Sequence, residues 1–142
     1  MTSSPQVSAD VCPGSQPLEE QLPANVLSQH CPSRTVLRHL TDRWTPLIVT
    51  VLSAGEPVRF KDLKTTIQGI SPKVLTETLR SMERDGLLTR HLTASVPPRV
   101  DYQLTDLGLT TVEPLTAVRL WAESHLDEVL ANRERYDSTQ TL

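Results

Sequence analysis

Apolar residues recur at helical spacing along the first half of the chain, after a polar start. Residues 33–40 place apolar side chains three and four positions apart, which predicts a helix with Ser33 as its N-cap. Residues 46–52 are apolar on nearly every side, so they predict a central buried helix. Pro46 suits the first turn of that helix, and Gly55 suits the position just beyond its end.

Two further helices are predicted in the middle of the chain, after a very short strand near residues 58–60. Residues 60–67 have the spacing of a short amphipathic helix that ends at Gly69. Ser71 is the expected N-cap of the next helix, 72–85, in which Pro72 takes the first position. The buried stripe of that helix is expected to consist of Leu75, Leu79 and Met82.

The remaining pattern predicts a β-hairpin and a long helix. Strands 87–93 and 99–104 are joined by a loop that contains two prolines. A helical repeat then runs over 106–135, and Pro114 either kinks this helix or marks its start. The order of elements is typical of a winged helix-turn-helix with a long C-terminal dimerisation helix, a mainly α fold with a small β-hairpin (α+β).

Length and composition set the domain organisation. We expect a disordered, proline-rich extension over 1–25, one domain over 26–135, and a frayed tail over 136–142. The sequence has neither an apolar run long enough to span a membrane nor a recognisable secretory signal. The expected location is therefore the cytoplasm, and the nucleoid when the protein is bound to DNA.

Charge is segregated along the chain, although the total is only −3. Residues 59–99 carry eight Lys or Arg against four acids, a net charge of +4. Residues 1–30 contribute −3 and residues 100–142 contribute −5. A basic middle between acidic ends indicates an anionic partner for the middle segment, which coincides with the predicted recognition helix and wing.

Polar residues on the basic segment are the candidate contacts to double-stranded DNA. Arg80 is a candidate for bidentate recognition of guanine, and the wing arginines are candidates for phosphate contacts. The alternatives are an ordinary solvated helix face and an ordinary surface hairpin. The full set of candidate DNA-binding residues is Arg59, Lys61, Ser71, Lys73, Thr76, Arg80, Arg84, Arg90 and Arg99.

The C-terminal helix has an apolar stripe that a domain this small does not cover alone. We expect it to form a homodimer interface, with packing back onto its own domain as the alternative. The candidate interface residues are Leu115, Val118, Trp121 and His125.

Cys31 precedes the first predicted helix and has arginines nearby, a setting that favours the reactive thiolate. It is therefore a candidate redox sensor, with a small, partly buried apolar residue as the alternative. Cys12 lies in the N-terminal extension. The four histidines show no ligand spacing, and no catalytic motif is present, so neither a metal, nor a cofactor, nor an enzymatic activity is expected.

Several motifs, taken in order, resemble the HxlR-type winged helix-turn-helix regulators, which are relatives of the MarR group. These motifs are Cys31-Pro32, Arg43-Trp44, Arg59-Phe60-x-x-Leu63, Ile70-Ser71-x-Lys73-x-Leu75-Thr76, Leu79-Arg80-x-Met82-Glu83-x-Asp85-Gly86-Leu87 and Pro97-Pro98-Arg99-Val100-Asp101-Tyr102-x-Leu104-Thr105. The chain departs from the family at residues 41–44, where Gly-Gly-Lys-Trp is common, and at Asp101, where Glu is usual.

The resemblance implies a dimeric bacterial regulator that binds pseudo-palindromic promoter DNA. It also implies sensing of oxidants or electrophiles at the position of Cys31, as in several family members. We therefore expect a repressor of adjacent genes. The alternatives are a regulator that holds a small ligand in a pocket at the dimer interface, and a winged-helix interaction module that does not bind DNA.

Overall fold

The computed structural model describes residues 27–140. The predicted extension 1–25, Cys12 within it and residues 141–142 lie outside the described residues. The chain divides into two units at the Thr45–Pro46 junction. The first unit contains helix α1 (Ser33–Leu40), and helix α2 (Thr45–Leu52) begins at the junction.

The start of α1 differs from the predicted capping, whereas Pro46 lies in the first turn of α2 as predicted. Pro32, not Ser33, is the N-cap of α1, and no side chain caps this helix. The Ser33 hydroxyl instead lies 2.9 Å from the Cys31 sulfur. The carboxylate of Asp42 accepts hydrogen bonds from the backbone N–H groups of Trp44 and Thr45, both at 2.7 Å. Asp42 therefore satisfies the donors at the start of α2.

The predicted apolar character of α2 is matched by its burial. Ile48, Val49 and Leu52 are almost completely buried, whereas Leu47 stays partly exposed. Gly55 follows the helix with a φ of +80°, a conformation that a side chain disfavours. The second unit thus begins with a helix that supplies core residues.

Helices α3 (Phe60–Thr66) and α4 (Pro72–Arg84) form the helix-turn-helix. The turn passes through Gly69 at a φ of +89°, and Ser71 caps α4 by accepting a hydrogen bond from the N–H of Val74 at 3.1 Å. The predicted stripe of α4 is confirmed, because its buried residues are Leu75, Leu79 and Met82. This burial fixes which face of α4 is left exposed.

The sheet has three strands, because the short strand predicted near residues 58–60 pairs with the predicted hairpin. Strands β1 (Val58–Arg59), β2 (Leu88–Thr93) and β3 (Arg99–Leu104) are antiparallel in the order β1-β3-β2. Strands β2 and β3 and the loop between them form the wing. Helix α4 packs against β2.

The segment predicted as one long helix over 106–135 forms three helices, and Pro114 lies in the first turn of the second, one of the two roles predicted for it. These are α5 (Asp106–Leu109), α6 (Val112–Ser124) and α7 (Leu126–Gln140). Gly108 sits so close to the wing that an added Cβ would lie 1.9 Å from the Leu87 carbonyl oxygen. This contact holds α5 against Leu87, the residue that precedes β2. The next helix, α6, begins at Val112.

The C-terminal end also differs from the prediction of a frayed tail after residue 135. Helix α7 continues to Gln140, and the hydroxyls of Ser138 and Thr139 donate to the carbonyls of Glu134 and Arg135. Within residues 27–140, no helix has both the length and the apolar character that crossing a membrane requires.

Candidate nucleic-acid interface

The exposed face of α4 carries the positive charge that the sequence predicted. Lys73, Arg80 and Arg84 are exposed, and Thr76 is half-buried beside them. Arg80 and Arg84 lie one turn apart and therefore project on the same side. Among residues 27–140, none of these three cations forms an ion pair, so the charge of this face is available to an outside partner.

The hydroxyls near the start of α4 are partly committed to the helix itself. The Ser71 oxygen accepts from the N–H of Val74, which leaves the hydroxyl proton available to a phosphate oxygen. The Thr76 hydroxyl donates to the carbonyl of Pro72 at 2.7 Å, so its proton is used within the helix. Thr76 therefore presents its methyl group and its acceptor lone pairs.

The two wing arginines each have an acidic partner. The Nε of Arg99 donates to both carboxylate oxygens of Asp101, at 3.1 and 2.9 Å. The Nε of Arg90 lies 4.0 Å from a carboxylate oxygen of Glu83 on α4. The positive charge that the sequence assigned to the wing is thus partly neutralised inside the protein.

Tyr102 lies where α4 and the wing meet. Burial raises the pKa of Tyr102 above 10.0, and Glu83 acts in the same direction. The positive charges of Arg90 and Arg80 oppose this shift. Tyr102 pairs with Arg90 in the sheet, and α4 packs against the strand that carries Arg90. Phe60 packs near the tyrosine ring at a centroid distance of 6.4 Å. One buried side chain therefore adjoins both candidate DNA-contacting elements.

Arg59 and Lys61 flank the junction between β1 and α3, and both are exposed. The sheet register pairs Arg59 with Asp101 on β3, and Asp101 with His91 on β2. Directly opposite residues share a face of the sheet. Asp101 therefore shares its face of the sheet with three basic side chains, those of Arg59, His91 and Arg99.

The predicted dimer residues separate into two groups. Val118 and Trp121 are exposed on α6, at 59 % and 58 %. The His125 ring stacks on the Trp121 ring at 4.6 Å and an interplanar angle of 15°. Leu115 is only 6 % exposed within a single chain. Helix α6 therefore turns Leu115 towards the protein's own interior, and its place at an interface stays a prediction.

Cys31 is 2 % exposed and is disulfide-bonded in this structure. The nearby Arg34, which the sequence suggested as a thiolate partner, donates to the carbonyl of Leu27 at 3.3 Å. The thiolate that the sequence favoured at Cys31 is thus not the state seen here. The oxidised state is what the structure holds.

Three important neighbours were missed by sequence reasoning. Asp101 follows Arg99 at the two-residue spacing of one strand face, so strand alternation contained the signal for this pair. Glu83 on α4 reaches Arg90 of the wing only through tertiary packing, and the same packing brings Tyr102 of β3 near α4; no local pattern indicates either approach. No group of three or more metal-binding side chains occurs within the part of the chain that the structure describes.

A helix-turn-helix followed by a wing, with a positive exposed face on its second helix, defines a helix-turn-helix transcription regulator. The HxlR-like helix-turn-helix family matches residues 39–130. The chain belongs to this family, whose members are transcription regulators and not enzymes.

Individual relatives agree with this assignment. The chain is 44 % identical over 120 residues to the HTH-type transcriptional regulator YtfH of Escherichia coli K12, covering 84 % of this chain and 92 % of the relative. The structure of the transcriptional regulator ytfH from Salmonella typhimurium matches with a TM-score of 0.74 at 42 % identity, over 78 % of this chain and 98 % of that one. The redox regulator HypR in its oxidised form matches with a TM-score of 0.59 at 30 % identity, over 66 % and 96 %.

Proposed function

We propose that the protein is a homodimeric repressor that binds a pseudo-palindromic operator in double-stranded DNA, in the cytoplasm. The observation that carries the proposal is the exposed face of α4, where Lys73, Arg80 and Arg84 have no acidic partner within residues 27–140. Clustered unpaired cations on the second helix of a helix-turn-helix suit the major groove of DNA.

Each element has a distinct part in this proposal. Arg80 donates two hydrogen bonds to a guanine edge, and this contact supplies sequence specificity. Ser71, Lys73 and Arg84 contact phosphates beside the groove, and Arg59 and Lys61 do so at the β1–α3 junction. Arg90 and Arg99 add phosphate contacts from the wing, weakened by their acidic partners. Thr76 packs its methyl group against a base edge.

The dimer is proposed to form through α6. Val118 and Trp121 are large, apolar and more than half exposed in the single chain. Exposed apolar patches of this kind mark interaction surfaces, and aromatic residues dominate the energy of such interfaces. His125 extends the patch through its stacking on Trp121. A two-fold axis at α6 would present two copies of α4 to half-sites about 34 Å apart.

The direct test is equilibrium binding to DNA from upstream of the gene and of its neighbours, followed by fluorescence anisotropy. Wild-type protein should bind one fragment at least about 1,000-fold more tightly than a scrambled fragment at the same salt concentration. A protection footprint of two half-sites one helical turn apart is expected on that fragment. Equal affinity for both fragments would contradict the proposal.

Repression is proposed to respond to oxidants or electrophiles at Cys31. An oxidant such as diamide takes two electrons and two protons from two thiols, an S–S bond forms, and the diamide is reduced to the hydrazine. A quinone instead forms an S–C bond with the thiolate and becomes the hydroquinone adduct. The support is the disulfide state of Cys31 here, together with the likeness to the redox regulator HypR.

This signal is tested on protein reduced beforehand with dithiothreitol and bound to its operator. Diamide should release the wild-type protein from DNA and leave Cys31→Ser bound. Cys12→Ser is the matched variant, because Cys12 is the other cysteine of the chain. Release of Cys31→Ser to the same extent as wild type would remove Cys31 from the mechanism.

A further inference from the structure

Helix α4 carries one glutamate in the middle of the face that is proposed to meet DNA. A helix turns by about 100° per residue, which places four exposed residues within an arc of about 60°: Lys73, Glu77, Arg80 and Arg84. The buried residues Leu75 and Leu79 lie about 160° from Glu77, one on either side of the helix. Glu77 therefore points directly away from the core, at the position of α4 that enters a groove most deeply.

The carboxylate of Glu77 has no cation as its partner. Lys73 precedes it by four residues and Arg80 follows it by three, which are the spacings at which ion pairs form along a helix. Within residues 27–140, however, Glu77 forms no ion pair. The other glutamate of α4, Glu83, lies 4.0 Å from Arg90 of the wing. Of these two acids, Glu77 is the one whose charge is left for a donor outside the protein.

An ionised carboxylate on a DNA-facing surface restricts what that surface binds. It accepts hydrogen bonds only, and phosphates repel it. The donors that base pairs present in the major groove are the N4 amino group of cytosine and the N6 amino group of adenine. The adenine amino group adjoins the N7 acceptor, which repels a carboxylate, whereas the major-groove edge of cytosine has no acceptor of its own. The base that suits a carboxylate is therefore cytosine.

We propose that Glu77 determines sequence specificity by accepting a hydrogen bond from the N4 amino group of one cytosine in each half-site. This inference rests on the proposed DNA-binding function and adds a second base contact beside that of Arg80. The two side chains lie about one turn apart on α4, so they read neighbouring base pairs. Repulsion between Glu77 and the phosphates weakens binding to every sequence, and only cytosine at this position compensates for it.

Selection from a library of randomised duplex DNA tests this inference on the full-length protein. The wild type should select a pseudo-palindromic consensus with cytosine at one fixed position of each half-site. Glu77→Gln preserves the size of the side chain, and the glutamine amide makes two hydrogen bonds with the N6 and N7 atoms of adenine. This variant should therefore select adenine at that position and leave the rest of the consensus unchanged. A consensus that keeps cytosine in Glu77→Gln overturns the inference.

Fluorescence anisotropy then measures the exchange of specificity on two duplexes, the selected site and the same site with that C·G pair changed to A·T. The wild type should bind the A·T site about 5- to 150-fold more weakly, which is the usual effect of one mismatched base pair. Glu77→Gln should bind the A·T site more tightly than the C·G site. Equal gains of Glu77→Gln on both sites would mean that Glu77 acts only by repelling phosphates, and the inference would be wrong.

Glu134→Gln is the matched control, because it removes the same charge from an exposed position on α7, far along the sequence from α4. It should select the wild-type consensus. Failure of the inference also differs from failure of the proposed function. A wild-type protein that selects no consensus contradicts both. A consensus that wild type and Glu77→Gln share supports sequence-specific DNA binding and excludes Glu77 from base recognition.

Discussion

The Nε of Arg99 donates to the carboxylate of Asp101 two residues further along the same strand, at 2.9 Å from its Oδ2 atom. The wing therefore supplies its own counter-ion to the arginine nearest its tip. A phosphate that approaches Arg99 competes with a neighbour already in place. The charge a wing offers to DNA depends on such pairs as much as on the number of its arginines.

Replacing Asp101 with Asn should strengthen DNA binding at low salt. Freed from its ionised partner, Arg99 gains one phosphate contact, and the slope of log K against log salt becomes steeper by about 0.9. The free energy of unfolding should change by about 1 kcal/mol, because Asn keeps an oxygen that accepts from the half-exposed Arg99. Anisotropy titrations across a salt series measure this. Asp106→Asn is the control, and an unchanged slope in Asp101→Asn would contradict the prediction.

Replacing Arg80 with Ala should cost about 1–3 kcal/mol of specific binding, which corresponds to a loss of about 5- to 150-fold on the operator. Binding to random DNA should change little, because a base contact carries sequence information. Arg133→Ala on α7 is the control, since it removes an exposed cation far along the sequence from α4. Equal losses on operator and random DNA would assign Arg80 to a phosphate.

Replacing Gly108 with Ala should destabilise the fold severely. The new Cβ would lie 1.9 Å from the backbone oxygen of Leu87, so the backbone has to move, at a cost of about 3 kcal/mol or more. Gly55→Ala is the comparison, because it meets no atom within 4 Å and costs only the strain of its φ of +80°, about 1–2 kcal/mol. Urea denaturation measures both. Similar losses in the two variants would show that the Gly108 contact is not close.

Replacing Trp121 with Glu should dissociate the proposed dimer. Buried aromatic anchors contribute about 2 kcal/mol or more to interfaces, so the dissociation constant should rise about 30-fold or more. Sedimentation velocity over a concentration series measures this. Tyr136→Glu, on an equally exposed aromatic of α7, should leave the dimer intact. A wild-type protein that sediments as a monomer throughout would exclude the interface.

The parts of the fold that depend on local interactions were predictable from the sequence. The cap, the first residue and the buried stripe of α4 all follow from spacing and from the Ser71–Val74 hydrogen bond. Pro114 indicated that a helix starts in this segment, but the end of α5 was not predictable, because it accompanies the approach of Gly108 to the Leu87 carbonyl across the fold. The apolar repeat in the sequence gives no indication of that contact.

The candidate site shows the same division. The cations of α4 and the wing were recognisable by type and position. Of the wing's two acidic partners, strand alternation indicated Asp101, whereas nothing local indicated Glu83. Leu115 fitted the apolar repeat as well as Trp121 did, and only packing separates the buried residue from the exposed one. Periodicity identifies an apolar face, but it does not say which part of that face the chain covers by itself.

Tyr102 adjoins α4 and β2 at once, and the Glu83–Arg90 pair spans the same two elements. The second helix and the wing therefore pack together as one piece. In the proposed dimer, a signal has no need to reshape either copy of that piece in order to free the operator. It is enough to change the distance between the two pieces. A change of about 3.4 Å in that distance, the rise of one base pair, would leave both pieces folded. The two recognition helices would then no longer match the spacing of the two half-sites.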